Sequence, residues 1–364
     1  MRRRLVVVGG GVVGGSVAVA TVLERPFADA SDGLWYKSRG HEIPVGSGWR
    51  VVDRRSRVEE WLGTPNAATA LGLAAARAVV VPLVSLAGHA ALRFQNELRV
   101  DTDDDAYDYF VRSVRRRDGR GLLTVSNHTS VLDDPFLLGA ILPLPLSLDP
   151  ARARWAACSQ EVCFSRGAIV SAFFGAGKTL PIKRGGGVDQ PALATLADKL
   201  ARGQWVHMFP EGHVYQGSTV GRGRGSHANE RSDAARAKFG SLKRGTAKLI
   251  AHAPTPLLVV PFVHAGMDAF MPYDSTGRCE SKLWKSDKKV SVAFGRPIDF
   301  QDLISDHERK YGPLRRYGHG RTWPHSTDTD AELYTRILAR VERALVDLQQ
   351  HQHLIETGRH IPRR

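Results

Sequence analysis

From Gly121 onward the chain alternates short apolar runs with segments of helix length. Leu122–Val125, Trp155–Cys158, Thr179–Ile182, Trp205–Phe209, Leu257–Phe262 and Val290–Phe294 have the length and composition of buried strands. Pro135–Leu142, Val162–Phe174, Pro191–Ala201 and Leu242–Ala251 lie between them and are each long enough for a helix. This rhythm predicts an α/β fold with a mostly parallel central sheet flanked by helices. In such sheets chemistry collects where strands end and loops lead into helices. Near the C-terminus Leu333, Ile337, Leu338, Val341, Ala344, Leu345 and Leu348 recur at helical spacing, which predicts an amphipathic helix with one docking face.

Two longer apolar stretches precede this region. After Met1-Arg-Arg-Arg, residues Leu5 to Leu23 carry no charge. As a helix they would reach about 28 Å, barely a bilayer core of about 30 Å. The pattern resembles a signal anchor or an uncleaved targeting segment, and a mitochondrial presequence is a further reading. Gly9 to Gly14 also satisfies G-x-G-x-x-G, the fingerprint of a nicotinamide- or flavin-binding oxidoreductase. No second βα unit with a terminal acid follows, which argues against that use. The other stretch runs from Ala67 to Leu92, broken by Arg77 and Pro82. Its uncharged part, Ala78 to Leu92, would span about 22 Å as a helix. A helix pair dipping into one leaflet fits that length, and so does a buried core hairpin.

Composition narrows the class. Among 364 residues, 42% are hydrophobic and 24% charged, which excludes wholesale disorder, and few uncharged windows are long enough for a polytopic membrane protein. Cys158, Cys163 and Cys279 are too few to staple a secreted scaffold, lack metal-ligand spacing, and are read as buried or idle thiols. The net charge of +14 calls for an anionic partner. Its densest part, Arg222 to Lys248, holds no aromatic residue except Phe239, and its first half reads as a surface loop. A nucleic-acid protein would concentrate such charge beside stacking aromatics, so no nucleic acid is expected.

Candidate chemistry sits at the strand ends. Ser126-Asn-His128-Thr-Ser-Val-Leu-Asp133-Asp-Pro135 follows the first strand. On one regular helix His128 and Asp133 would stand about 140° apart and would not meet. With His128 in the turn before the helix they can meet, and the carboxylate would then hold the imidazole as a general base. An N-cap at Asp133 or Asp134 with Pro135 at N1 is an equally good local reading. Phe209-Pro-Glu211-Gly212 places a carboxylate and a flexible turn at a sheet edge. Leu180-Pro-Ile-Lys183-Arg184-Gly-Gly-Gly187 joins adjacent cations to flexible amides, a phosphate seat or a plain basic loop. Val259-Val-Pro-Phe-Val-His264-Ala-Gly-Met267 reads as a pocket wall.

In this order and spacing the four blocks resemble the glycerolipid acyltransferase family, and within it the tafazzin branch of phospholipid–lysophospholipid transacylases that remodel cardiolipin. Asn127-His128-x-Ser130-x-x-Asp133-Asp134-Pro135, Ala157–Phe164, Arg184–Val188, Trp205–Gly212 and Pro261–Met267 carry the resemblance. It implies an acyltransferase domain over residues 66–300 with a loop insertion near 217–236. Residues 1–65 would be a targeting or anchor-like segment and linker, and 301–364 a C-terminal loop and helical extension. A second insertion-like stretch, Tyr311 to His325, is also expected to be a loop.

The resemblance further implies His128 as general base, Asp133 as its orienter, and Lys183, Arg184, Glu211 and Gly212 as the substrate seat. Glu211 would bind a glycerol hydroxyl or orient a cation, and Gly212 could help hold an oxyanion. No metal and no organic cofactor is implied. The substrates would be a phospholipid and a lysophospholipid on an anionic, mitochondrial membrane. An acyl-CoA-dependent lysophospholipid acyltransferase is the alternative on the same fold, with CoA only as acyl carrier. A non-enzymatic basic scaffold would leave the His128, Asp133 and Glu211 constellation to coincidence.

Overall fold

Side chains alternate across each strand, and here that alternation builds two cores. Leu123, Val125, Val206, Met208, Val259 and Val263 face one of them, while Leu122, Trp205, Leu258, Val260 and Phe262 face the other. A sheet apolar on both faces must be covered on both, and a computed structural model shows helices doing so. It describes residues 43–44, 67–101, 105–116, 119–165, 167–216, 242–274, 278–317 and 322–356. The 5–23 segment, its glycine motif and the 217–236 insertion lie outside the described residues.

In chain order the elements used below are β1 (Ile43–Pro44), α1 (Ala67–His89), β2 (Glu97–Val100), α2 (Ala106–Arg116), β3 (Leu122–Val125), β4 (Ala156–Ser159), α3 (Ala168–Ala176) and β5 (Thr179–Ile182). They continue as α4 (Pro191–Ala201), β6 (Trp205–Met208), α5 (Arg244–Ala251), β7 (Leu258–Ala265), β8 (Lys289–Phe294), α6 (Gln301–Tyr311), β9 (Thr322–Trp323) and α7 (Asp328–Glu356). The central sheet has the order β2-β8-β7-β3-β6. β3 runs parallel to β6 and β7, β8 is antiparallel to β7, and β2 is parallel to β8. A parallel bridge from Trp155 to Val206 attaches the parallel pair β4–β5 beyond β6. The carboxyl ends of β7, β3, β6, β4 and β5 therefore share one edge.

Helices α4, α5 and α7 cover the first core, and α2 with the segment from Leu137 to Leu142 covers the second. The C-terminal stripe docks as expected, with Leu333, Ile337, Val341 and Leu345 fully buried.

Several expectations need correction. Ala67–Leu92 is neither a helix pair nor a hairpin. It is the single helix α1, which runs through Pro82 and continues as a π-helical turn, Ala90–Phe94. Val162–Phe174 is interrupted at Gly167, whose φ of +103° is outside helical space, so α3 starts only at Ala168. Cys158 and Cys163 are not idle thiols but form a disulfide. One is the next-to-last residue of β4 and the other ends the helical turn that follows, which brings their Cα atoms to 6.2 Å. Tyr311–His325 is not a plain loop either. Tyr317 and Trp323 are buried in the first core, and β9 pairs with β1.

Three elements left no apolar run to read. β2 is a four-residue edge strand with alternating exposure, while α2 and α6 bury only narrow stripes such as Phe110, Val111 and Val114, or Leu303, Ile304 and His307.

Candidate active site

β3 ends at Val125, and the chain then runs without regular structure through His128 before turning. The turn begins at Asp133 as a π-helical segment, Asp133–Leu137, which passes into a short α-helical turn. Single π turns are uncommon and often occur at functional sites. This one resolves the spacing problem, because His128 precedes the helix and Asp133 opens it. The Nδ1 of His128 lies 2.9 Å from Asp133 Oδ2. The same oxygen accepts the amides of Thr129 at 2.7 Å and Ser130 at 2.8 Å. A carboxylate oxygen gathering N–H donors assigns the imidazole proton to Nδ1 and leaves Nε2 as the free lone pair. Asp133 is buried, whereas the His128 side chain keeps 17% of its surface exposed. Phe209 stacks on that ring with centroids 3.9 Å apart and planes 12° from parallel, fixing its orientation.

Glu211, at the end of β6, is also buried, and its Oε1 accepts the backbone amide of His128 at 2.8 Å. It thus ties the second block to the first. Gly212 follows with φ of +70°, a conformation that suits glycine, and its amide donates to Phe209 at 3.0 Å. Arg184 is exposed at the end of β5. It reaches the site electrostatically: burial lowers the pKa of His213, and the charges of Arg184 and then Lys243 lower it further. Lys183 enters through its backbone, its amide donating to Gln190 Oε1 at 2.9 Å. None of the described contacts joins the Lys183 side chain to the dyad.

Three residues near the dyad were missed or misread. His264, expected in a pocket wall, is a buried brace. Its Nε2 lies 3.0 Å from Asn127 O and 3.5 Å from Asp133 Oδ2, and burial lowers its pKa against the opposing pull of Asp133. Asn127 completes the brace with Nδ2 to His264 O at 2.9 Å and Oδ1 from His264 N–H at 3.0 Å. Lys243, just before α5, lays its side chain against Gly212 and donates its amide to Pro210 at 2.6 Å. The Lys-Arg pair ahead of a helix was visible in the sequence, but its proximity to Gly212 was not. Asp134 turns away from the dyad and pairs with Arg154, beside β4.

An open, mostly apolar cleft lies behind the π turn, between α1 and α3, lined by Val80, Val84, Pro135, Leu138, Phe173 and Phe174 among others. It sits beside the turn that carries Asp133, not at the strand edge where His128 points. Among the described residues no cluster of His, Cys, Asp and Glu is suited to hold a metal ion.

Residues 108–265, which include all of these site residues, match the family model described as Acyltransferase. The chain is 36% identical over 224 residues to an N-acylphosphatidylethanolamine synthase of Arabidopsis thaliana, covering 62% of this chain and 71% of that one. It is 32% identical over 234 residues to a tafazzin of Drosophila melanogaster, covering 64% of this chain and 54% of the relative. A third relative, "Taffazin" of Dictyostelium discoideum, is 34% identical over 153 residues, or 42% and 48% of the two chains. The matches thus span about half the length of those two relatives. With this similarity and a His–Asp dyad inside the matched region, the chain belongs to the acyltransferase family and is an acyltransferase.

Proposed function

We propose that the protein transfers a fatty acyl group from a phospholipid to the free hydroxyl of a lysophospholipid, with monolysocardiolipin as acceptor and cardiolipin as product. The carrying observation is the dyad, an imidazole whose Nδ1 is held by Asp133 at 2.9 Å while Nε2 is left to accept a proton. In this reading Nε2 takes the proton from the acceptor hydroxyl as its oxygen attacks the ester carbonyl of the donor. The tetrahedral intermediate then collapses, and the imidazolium returns the proton to the departing glycerol oxygen. Positioned base catalysis of this kind contributes about 10²–10⁴-fold. The transfer balances with no cofactor and no redox partner.

Lys183, Arg184 and the neighbouring Lys243 supply cationic donors for the phosphate. Glu211 holds the His128 backbone, and the turn at Gly212 brings the Lys243 side chain alongside it. The cardiolipin assignment rests on similarity to the tafazzins.

A lipid substrate fits the exterior of α1. Leu71–Phe94 is long and apolar enough to cross a membrane, yet only 22% of its most apolar window is buried inside the protein. Leu71, Val79, Leu83, Leu86 and Phe94 project outward. We assign this face to a lipid surface, which the +14 charge would favour if the lipid is anionic. A mitochondrial membrane rests on the tafazzin resemblance alone.

The similarity to a plant N-acylphosphatidylethanolamine synthase supports a second acceptor, the amine of phosphatidylethanolamine, because the same base can serve an amine. Purified protein mixed without CoA with acyl-labelled phosphatidylcholine, monolysocardiolipin and phosphatidylethanolamine separates these readings. Label in cardiolipin is the expected result. Label on the phosphatidylethanolamine nitrogen would select the second reading; no transfer in this mixture, with transfer appearing once labelled acyl-CoA is added, would overturn the phospholipid donor.

A further inference from the structure

The loop that leaves β5 carries Lys183, Arg184 and three consecutive glycines, a composition with high conformational entropy. One side chain closes it. Gln190 precedes α4 and is buried. Its Nε2 donates to the carbonyls of Lys183 at 3.0 Å and Gly187 at 2.6 Å, and its Oε1 accepts the Lys183 amide at 2.9 Å. A single amide thus holds both ends of a five-residue loop. Gly186 packs on that amide so closely that a Cβ there would lie 3.0 Å from it. Gly185 and Gly187 adopt φ of +74° and +75°, with open space where a Cβ would be.

The residues between loop and latch are anchored too. Trp323 Nε1 donates to Val188 O at 3.1 Å, and Asp189 pairs with the fully buried Lys248 of α5, whose Nζ also lies 4.5 Å over the Trp323 ring. Asp189 and Val188 are therefore fixed to the core through α5 and β9, and Gln190 transmits that rigidity to the loop.

We propose that Gln190 is a positioning residue for substrate phosphate: by latching Lys183 to Gly187 it presets the cationic loop in the shape that receives the anion. The proposal rests on the reading of Lys183 and Arg184 as that seat. A loop ordered in advance does not pay its ordering entropy when the substrate arrives, so losing the latch weakens binding and leaves the chemistry at His128 alone.

The test compares steady-state kinetics of Gln190→Met, Gly187→Ala and Arg184→Ala, with thermal midpoints measured alongside. Gln190→Met keeps the volume and removes all three hydrogen bonds. Gly187→Ala strains the loop from its open side and removes no packing. The expected result is that KM for the lysophospholipid rises about tenfold in both loop variants, with kcat within about twofold of the parent. An unchanged KM in a folded Gln190→Met protein would overturn the proposal, and so would an unchanged KM in Gly187→Ala where Gln190→Met does not fold. So would a fall in kcat at constant KM. If Arg184→Ala raises KM while the two loop variants do not, the positioning role fails and the seat stands. If Arg184→Ala leaves KM unchanged, the seat itself fails.

Discussion

Asp133 gathers three N–H donors on one oxygen, His128 Nδ1 and the amides of Thr129 and Ser130, so one side chain fixes both the base and the turn that carries it. Replacing Asp133 by Asn puts a donor or a neutral acceptor where a carboxylate was and frees the ring to take the wrong tautomer. Acyl transfer by Asp133→Asn should fall by about 10²–10⁴-fold in kcat with a smaller change in KM. His128→Ala should abolish transfer while leaving the circular dichroism spectrum intact; an active, folded His128→Ala protein would overturn the mechanism. At this scale the sequence was informative about identity. His128, Asp133, Glu211 and Arg184 were all legible as blocks at strand ends. What could not be read were the second partners. His264 looked like one more apolar-block residue, and its approach to Asp133 spans 131 positions of chain. Lys243 stands beside Gly212 only because α5 starts against the turn after β6.

Among elements, α1 and the π turn form the contact on which the site's geometry depends. Gly88 of α1 meets the backbone of Phe136 so closely that a Cβ would stand 2.7 Å from its carbonyl oxygen, and Gly139 meets Ser85. Ser85 donates to Ser147 O at 2.8 Å, and Arg93 donates through Nη2 to Ala140 O at 2.9 Å. Gly88→Ala should therefore push α1 off the catalytic turn and cost about 1–3 kcal/mol, measurable by chemical denaturation; an unchanged midpoint would mean the contact is not tight. The outer face of the same helix makes a different prediction. Leu83→Glu with Leu86→Glu should leave stability within about 0.5 kcal/mol, since both side chains are exposed. The double variant should lose flotation with anionic vesicles if that face meets lipid. The strands of the parallel sheet were legible because each is a short apolar run between turn signals; most fall within one residue of the expected bounds, and β7 runs three residues further, to Ala265. α2, β2 and α6 were not, because each buries one stripe or none and its composition is that of a surface.

For the molecule as a whole, charge and buried histidines set the response to pH. Burial lowers the pKa of His207 well below the ordinary histidine value, and burial also lowers His252 and His264. These rings are neutral in the folded chain and gain protons more readily when it unfolds. The unfolded state therefore binds more protons once pH falls below about 6.5, and stability declines from there toward the depressed folded-state values. The thermal midpoint should thus be flat from pH 8 to 7 and fall between pH 6.5 and 5, with the slope reduced in His207→Gln; an equal slope would assign the loss to other groups.

The alternation of apolar and polar positions was sufficient by itself to determine the α/β class, the strands of the parallel sheet and the docking stripe of α7, while the block at the end of β3 offered His128 and Asp133 as a pair or as a plain helix cap. Each of these is local, set by period, turn chemistry or a short block. Tertiary structure alone decided that α1 is one helix, that Cys158 reaches Cys163, that Trp323 belongs to the core, that His264 braces Asp133, that Lys243 lies against Gly212 and that Gln190 latches the loop after β5. Those outcomes depend on contacts between segments far apart in sequence or on which backbone conformation a turn adopts. A one-dimensional pattern carries no distance between such segments.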